Sequence, residues 1–319
     1  MKIVVLDGHA ANPGDLSWKP FERFGEVVVY ERTRPEELTA RAKDADAVFT
    51  NKVVFDDKVL DSLPKLKYIG ILATGTNVVD IKAACRRGIT VTNIPAYSTD
   101  SVAQLTFAHI LNILNRTDKY ADDTRRGRWS NNPDFCYWDG QIRELASMKM
   151  GIVGLGNIGR KVAQIALAFG MEVCAVTSKA ACQLPEGIKK TDKEDLFRSC
   201  DIISLHCPLT PDTREMINRD TIALMRPGTI VVNTGRGPLV NEADVAEALR
   251  KGSIAAYATD VMCQEPPKAD NPLLGCTNAF ITPHLAWGTI EARRRLMDIA
   301  LANVQAFVDG KPINTVEER

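Results

Sequence analysis

The sequence has no excess of charge of either sign. Lysine and arginine together number 40, aspartate and glutamate also number 40, and the formal net charge is zero. Proteins that bind nucleic acids or anionic membranes usually carry clustered positive charge, because both partners present phosphate groups. The balance therefore argues against a nucleic acid or a membrane as partner and favours a small-molecule substrate.

Long apolar runs are also missing. No stretch approaches the roughly 18 apolar residues that a membrane-spanning helix needs. The apolar run from Met1 to Leu6 is short and turns at Asp7-Gly8, whereas a secretory signal has a longer apolar region and a small-residue cleavage site. We therefore expect a cytoplasmic protein.

The eight cysteines form no Cys-x-x-Cys pair, and the sequence has four histidines. Paired cysteines and clustered histidines are the usual signs of a metal site, and regularly spaced cysteines in a small secreted chain indicate disulfides. Neither pattern is present. The sequence predicts reduced, mostly buried thiols and no metal centre.

Short β-rich runs alternate with helical patterns along most of the chain. One series of such runs begins at Ile3–Leu6 and ends at Thr90–Thr92, and a second begins at Met150–Gly154 and ends at Ala279–Thr282. This alternation is typical of βαβ units around a parallel sheet. It predicts an α/β protein with two doubly wound parallel-sheet domains.

Two long helical patterns flank the second series. One begins near Asp100 and continues to the basic stretch Arg125–Arg128, and the other begins near Thr289. The last helix is expected to return to the N-terminal domain, so that the second domain is inserted into the first. The first domain is predicted to consist of residues 1–99 and 288–319, and the second of residues 100–287.

A glycine-rich turn opens the second series. The segment GLGNIG, with Gly154, Gly156 and Gly159 at its glycine positions, follows an apolar strand and begins a helix. In a dinucleotide-binding turn the first glycine permits the bend, the second lets the backbone approach the pyrophosphate, and the third allows close helix–strand packing. The helix N-terminus adds free N–H groups for the phosphates. The pattern predicts a dinucleotide site; the alternative is a glycine-rich turn without a ligand.

The next strand ends without the acidic residue that binds the adenosine ribose of NAD. Thr177, Ser178 and Lys179 occupy that place. Hydroxyl groups and a lysine suit the 2′-phosphate of NADP, which a carboxylate would repel. The segment favours NADP over NAD as cofactor; the alternative is that Lys179 is a solvated loop charge.

Three polar residues follow later strands of the same series. Arg236 lies in NTGRG, Glu265 in DVMCQEPP and His284 in TPHLAWGT. Ligands of open α/β sheets bind at the carboxyl ends of the strands, so we expect these side chains to converge beside the nicotinamide. Taken singly, each has a structural alternative: a surface ion pair, a solvated loop carboxylate and a hydrogen-bonded core histidine. The remaining histidines, His9, His109 and His206, are expected to be structural or peripheral, and His206, at the end of a strand, could flank the cofactor.

These three residue types match the needs of 2-keto acid reduction. Arg236 can hold a carboxylate in bidentate fashion and polarise the carbonyl. His284 can donate a proton to the forming alkoxide and accept one in the reverse direction. Glu265 can orient the imidazole and stabilise its protonated form. The sequence therefore predicts hydride transfer between a nicotinamide and a small 2-keto or 2-hydroxy acid.

The segments HCPLT at residues 206–210 and ATGTNVVD at 73–80 add to these motifs, which together span essentially the whole chain. The chain resembles the D-2-hydroxyacid dehydrogenase family. Segments 6–18 and 135–139 are similar to its glycerate dehydrogenase (hydroxypyruvate reductase) branch. The resemblance implies a Rossmann dinucleotide-binding domain inserted into a flavodoxin-like substrate domain, and a homodimer. It implies reduction of hydroxypyruvate or glyoxylate to D-glycerate or glycolate.

The resemblance also implies residue roles. The three polar residues above would be catalytic. Arg236 and His284 would bind the substrate, and the backbone of Thr74, Gly75 and Thr76 would help to hold its carboxylate. Further contacts with the cofactor would come from Asn157, Ile158, Cys207, Thr234, Gly235, Asp260 and Ala286.

The sequence departs from the family pattern at Thr177, at Gln104, where the family helix usually carries glutamate, and at residues 147–149, and several alternatives accompany the resemblance. Thr177 stands where the family usually has an acidic residue, which weakens the case for NAD, and Glu265 argues against the formate dehydrogenase branch. Other 2-keto acids stay open, as does a dinucleotide-sensing interaction protein like the corepressors related to this family. The aromatic loop at 129–139 either reaches toward the partner subunit's site or acts as a lid or packing loop within one subunit.

Overall fold

The computed structural model describes residues 1–317, the side chain of Ser147 excepted, and Glu318 and Arg319 of the predicted first domain lie outside the described residues. Its strands are β1 Lys2–Val5, β2 Glu26–Val29, β3 Ala47–Thr50, β4 Tyr68–Ile71, β5 Thr90–Thr92, β6 Lys149–Val153, β7 Glu172–Val176, β8 Ile188–Lys190, β9 Ile202–Leu205, β10 Ile230–Asn233, β11 Ala256–Thr259 and β12 Ala279–Ile281. Its α-helices are α1 Gly8–Ala11, α2 Pro35–Ala42, α3 Asp57–Asp61, α4 Ile81–Arg86, α5 Thr99–Asn115, α6 Thr117–Arg125, α7 Asn157–Ala168, α8 Lys193–Ser199, α9 Arg219–Leu224, α10 Glu242–Lys251 and α11 Ile290–Val308.

The chain forms two compact units. Met1–Ser98 and the segment that begins at Trp287 make up the first unit, and Thr99–Ala286 makes up the second. Each crossing between the units lies one residue before the predicted boundary.

The first unit contains a five-stranded parallel sheet of order β2-β1-β3-β4-β5. Every residue of β3 and β4 is buried, as expected of parallel strands covered on both faces. Helix α11 places Leu296 and Ala300 in the same core cluster as Tyr68 of β4. Arg293 of this helix forms two 2.6 Å hydrogen bonds with the carboxylate of Asp15. The C-terminal helix is therefore an integral part of the first unit.

The second unit contains a seven-stranded parallel sheet of order β12-β11-β10-β9-β6-β7-β8. Successive residues of β9 alternate between two cores, with Ile202 in one and Ile203 in the other, so both faces of the sheet are covered. The strand order reverses between β6 and β9, which is the point where open α/β sheets bind ligands. The prediction of two doubly wound parallel-sheet domains is confirmed.

Two local features differ from the sequence prediction. The helical pattern after Asp100 is broken at Arg116, which adopts φ +49° and separates α5 from α6. The edge strand β8, at Ile188–Lys190, was not predicted because it has three residues, two of them lysines. Within the described residues, no helix is both long enough and apolar enough to cross a membrane.

Candidate active site

The glycines of the 154–159 turn have different surroundings. Gly154 has φ +95°, and a Cβ there would lie 2.6 Å from the backbone nitrogen of Cys207. A Cβ on Gly159 would lie 2.1 Å from the carbonyl oxygen of Gly154. The protein itself therefore excludes side chains at both positions. A Cβ on Gly156, in contrast, would meet no described atom within 4 Å beyond its chain neighbours.

The open space at Gly156 fits the pyrophosphate of a dinucleotide. Helix α7 begins at the next residue, Asn157, and its first turn contains no acidic residue. Free N–H groups at a helix N-terminus and the positive end of its dipole favour phosphate. A side chain at position 156 would occupy this open space.

The polar residues after the later strands reach one edge of the sheet. Val153, Leu205, Asn233, Thr259 and Ile281 form a row across β6, β9, β10, β11 and β12. The chain therefore leaves these five strands at one edge, which we call the carboxyl edge, through Gly154, His206, Thr234, Asp260 and Thr282.

Glu265 and His284 are in direct contact. Nδ1 of His284 lies 2.6 Å from Oε2 of Glu265, and Oε1 of Glu265 accepts a hydrogen bond from the backbone N–H of Met262 at 2.9 Å. Because a carboxylate only accepts, Nδ1 carries the proton of this bond and Nε2 is left to exchange a proton with a substrate. The side chains of His284 and Glu265 are 31% and 32% exposed, so a small molecule can reach the pair.

A buried carboxylate fixes the backbone around His284. This histidine has φ +52°, a left-handed conformation that is unfavourable for a residue with a Cβ. Asp260, which is 1% exposed, accepts hydrogen bonds through Oδ1 from the hydroxyl of Thr282 at 2.6 Å and the N–H of Leu285 at 2.9 Å. Its Oδ2 accepts from the N–H of Ala286 at 2.8 Å. Asp260 thus holds residues on both sides of His284.

Arg236 presents an exposed guanidinium at the same edge. Its Nη1 donates to the carbonyl of Gly235 at 2.8 Å, and it forms no ion pair with a carboxylate in the described part of the chain. A Cβ on the next residue, Gly237, would lie 2.1 Å from the carbonyl carbon of Met262. Because Met262 also donates to Glu265, the loops that carry Arg236 and Glu265 pack directly on each other.

Lysines lie beside the glycine turn at the end of β7. Nζ of Lys179 donates to the carbonyl of Leu155 at 3.1 Å, and the N–H of Lys179 donates to Oγ1 of Thr177 at 3.3 Å. Lys190 of the neighbouring strand donates to the carbonyl of Lys179 at 2.6 Å, and Ser178 is exposed. This corner of the carboxyl edge presents hydroxyl and ammonium groups.

The other cofactor residues predicted within the second unit lie on or near the carboxyl edge or at the start of α7: Asn157, Ile158, Cys207, Thr234, Gly235 and Ala286. Cys207 is partly buried, and burial raises the pKa of its thiol, so the thiol is neutral near pH 7. Thr234 is buried, with its hydroxyl 3.2 Å from that of Thr106. Their contacts with a cofactor stay a prediction.

The loop Thr74–Thr76 follows β4 of the first unit. The hydroxyl of Thr74 donates to the carbonyl of Ile94 at 2.8 Å, and the side-chain amide of Asn93 donates to the carbonyl of Thr74 at 2.8 Å. Within residues 1–317 the backbone N–H groups of Thr74, Gly75 and Thr76 have no acceptor. Adjacent N–H groups without an internal acceptor can bind an anion.

Comparison with known proteins identifies the family. Residues 107–286, more than half of the chain, match the family described as "D-isomer specific 2-hydroxyacid dehydrogenase, NAD binding domain". The chain belongs to this family. It is 44% identical to the hydroxypyruvate reductase of Blautia hydrogenotrophica, with 100% of both chains covered. It is 39% identical to the glycerate dehydrogenase of Methylorubrum extorquens, with 99% of both covered.

A solved structure extends the likeness to the whole fold. The D-lactate dehydrogenase of Lactobacillus jensenii, solved with NAD⁺, has a TM-score of 0.82 and 28% identity, with 100% of both chains covered. The matched NAD-binding segment lies within the second unit. The resemblance inferred from the sequence motifs is confirmed, and the protein is an oxidoreductase of the 2-hydroxyacid dehydrogenase family.

The sequence predicts a structural or peripheral place for both His206 and His109 of this dehydrogenase, and the structure distinguishes them. His206 lies 2.8 Å from the hydroxyl of Ser204, and burial lowers its pKa to about 4, which suits a structural role. His109 of α5 instead contacts Thr282, in the loop of His284, through Nε2 at 3.2 Å. No local signal marks this contact, because the two residues are 173 positions apart.

Proposed function

We propose that this dehydrogenase reduces hydroxypyruvate or glyoxylate to D-glycerate or glycolate with Arg236, Glu265 and His284 as catalytic residues. The 2.6 Å contact between Glu265 and His284 carries the proposal, because it leaves Nε2 of a partly exposed imidazole available for proton transfer. The choice among 2-keto acids is supported by the relatives named hydroxypyruvate reductase and glycerate dehydrogenase.

Arg236 binds the carboxylate of the keto acid in this proposal. Its guanidinium is exposed and forms no ion pair with the described carboxylates, so its fork of N–H groups is available for bidentate binding. The same positive charge polarises the neighbouring carbonyl and stabilises the negative charge that develops on its oxygen. The N–H groups of Thr74, Gly75 and Thr76 are proposed to bind the carboxylate as well.

His284 supplies the proton. A reduced nicotinamide, when bound, supplies the hydride to the carbonyl carbon, and the carbonyl oxygen then takes the proton from Nε2 of His284. Glu265 keeps Nδ1 protonated and stabilises the imidazolium before the transfer. In the direction of oxidation, the neutral Nε2 accepts the hydroxyl proton of the 2-hydroxy acid.

We propose that the chain's own turn and its flanking residues hold the dinucleotide, with NADP favoured over NAD. Gly154, Gly156 and Gly159 shape the pyrophosphate site, and the ammonium of Lys179 beside Leu155 offers a charge partner to a 2′-phosphate. The remaining proposed contacts come from Asn157, Ile158, Thr177, Ser178, Cys207, Thr234, Gly235, Asp260 and Ala286.

We also propose a homodimer. The 129–139 loop exposes Trp129, Trp138 and Phe135, the last of which is 89% exposed, and exposed large apolar side chains gathered in one loop favour an interaction site. Light scattering on the purified protein would report the oligomeric state, and a strictly monomeric mass would contradict the proposal. The cytoplasmic location stays a prediction.

The assay that tests the function follows the loss of nicotinamide absorbance with NADH or NADPH against hydroxypyruvate, glyoxylate and pyruvate. We expect turnover with hydroxypyruvate or glyoxylate to exceed that with pyruvate. Preferential turnover of pyruvate would overturn the substrate proposal. Tight dinucleotide binding without turnover on any 2-keto acid would instead support the dinucleotide-sensing alternative.

A further inference from the structure

A buried histidine outside the catalytic three contacts the loop of His284. His109 lies in the middle of α5 and is 6% exposed. Its Nε2 lies 3.2 Å from Oγ1 of Thr282, and this hydroxyl donates to Oδ1 of Asp260 at 2.6 Å. The three side chains form a continuous row that ends at the carboxylate holding the backbone around His284.

The chemistry of the Thr282 hydroxyl fixes the direction of these bonds. Its other two neighbours, Oδ1 of Asp260 and the carbonyl oxygen of Thr259 at 3.5 Å, are acceptors, so its single proton is directed to them. The hydroxyl oxygen can therefore only accept from His109, and Nε2 of His109 must carry a proton. Burial lowers the pKa of His109, which favours a neutral ring with its one proton on Nε2.

This set of hydrogen-bonded side chains contacts the loop next to His284, whose backbone conformation is strained. The carbonyl of Thr282 accepts a hydrogen bond from the N–H of His284 at 2.9 Å, and His284 has the unfavourable φ of +52°. A strained conformation persists only where its surroundings hold it. His109 fixes the rotamer of the Thr282 hydroxyl, and this hydroxyl and two backbone N–H groups together give both carboxylate oxygens of Asp260 a donor.

We infer that His109 is a positioning residue for the proposed proton donor His284, acting through Thr282 and Asp260. The inference rests on the proposed catalytic role of His284. A hydrogen bond of this kind positions a reacting group without touching substrate, and small displacements of a reacting group reduce turnover. The expected signature is therefore a loss of kcat that exceeds any loss of dinucleotide affinity, since Asp260 and Ala286 are also proposed cofactor contacts.

Three substitutions at one position test the direction and reach of the bond. Gln can place its side-chain amide where Nε2 of His109 lies, Asn is too short, and Leu has no donor. We expect His109→Leu and His109→Asn to lower kcat by about three- to tenfold, and His109→Gln to stay within about twofold of wild type. The Kd for NADP⁺, measured by fluorescence, should change less than kcat in the Leu and Asn variants and stay unchanged in the Gln variant.

Amide hydrogen exchange gives a readout that does not need turnover. The N–H groups of Leu285 and Ala286 donate to Asp260, so their exchange should accelerate by about three- to tenfold in the Leu and Asn variants and recover with Gln. Leu114→Ala is the control, since Leu114 is buried on the same helix. It should lower the Tm and leave kcat and the exchange of these two amides unchanged.

Equal kcat and equal amide exchange in wild type and all three variants would overturn the inference, as would equal losses in the Leu, Asn and Gln variants. If wild type reduced no 2-keto acid, the proposed function would fail. The exchange measurement would still decide whether His109 holds the loop.

Discussion

Nδ1 of His284 lies 2.6 Å from Oε2 of Glu265, and Nε2 has no hydrogen-bond partner among residues 1–317. Glu265→Gln preserves the size of the side chain and removes the charge that stabilises the imidazolium. We expect kcat/KM to fall by about 10- to 100-fold with unchanged dinucleotide affinity, measured by steady-state kinetics and fluorescence titration. Glu194→Gln, in an exposed ion pair with Arg198, is the matched control and should keep wild-type kinetics. Full activity of Glu265→Gln would contradict the assignment.

Replacement of Gly156 by alanine should weaken dinucleotide binding, whereas replacement of Gly159 should lower the thermal stability. The Cβ at position 156 meets no described atom, so the Tm should stay unchanged while the Kd for the dinucleotide rises by about tenfold or more. The Cβ at position 159 would lie 2.1 Å from the carbonyl oxygen of Gly154, and overpacking of this kind costs about 1–3 kcal/mol. Gly159→Ala should therefore lower the Tm by several degrees, as measured calorimetrically. Equal Tm losses in the two variants would refute the distinction.

Lys179 should discriminate between NADP and NAD. Its ammonium lies at the glycine turn, so Lys179→Gln should weaken NADP⁺ binding by about tenfold, since a charged hydrogen bond is lost, and leave NAD⁺ binding within twofold. The control is Lys189→Gln, which removes the same charge on β8, two strands away from the strand that leads into the turn. Nζ of Lys189 lies 3.9 Å from Oε2 of Glu172, and this variant is expected to change the affinity for neither dinucleotide. Isothermal titration with both dinucleotides gives the ratio, and a parallel loss for both would rule out recognition of the 2′-phosphate.

His206 should make the second unit less stable in mild acid. Burial lowers its pKa from 6.5 to about 4, so the unfolded chain binds the proton more readily than the folded one. The stability that the neutral His206 contributes to the folded state is fully present above pH 6.5 and is lost as the pH falls toward 4. Between pH 7 and pH 5 this group should lower the free energy of unfolding by about 2 kcal/mol.

Urea unfolding of wild type and His206→Gln at pH 7 and pH 5 measures this contribution. Gln can keep a hydrogen bond to Ser204 and does not titrate, so the variant should lose about 2 kcal/mol less than wild type over the interval. The same pH dependence in both proteins would show that another group is responsible.

The parts of the fold that the sequence predicts are those with a local cause. The strand–turn–helix around Gly154 and the apolar runs of the parallel strands can be recognised within short windows. The break at Arg116 could not, because neither glycine nor proline marks the left-handed backbone at this exposed residue. The three-residue strand β8 has too few apolar residues to produce a pattern.

The candidate site follows the same division. The sequence places Arg236, Glu265 and His284 after separate strands, and the topology of open sheets brings such positions to one edge. The contact between Glu265 and His284 and the burial of Asp260 depend on loop conformations that no local pattern specifies. The contact of His109 with Thr282 depends on the packing of α5 against the sheet and was therefore missed.

Gly237 has no side chain, and the peptide of Met262 fills the space where one would lie. The loops of Arg236 and Glu265 are consequently locked together, since any larger residue at position 237 would displace both loops. An evolutionary change in the backbone of one loop must therefore be matched by a change in the other, which slows the divergence of the residues that the two loops carry. We expect new substrate ranges in this lineage to arise from segments outside these two loops, such as 74–76 and 129–139, while the proposed acid–base pair is kept.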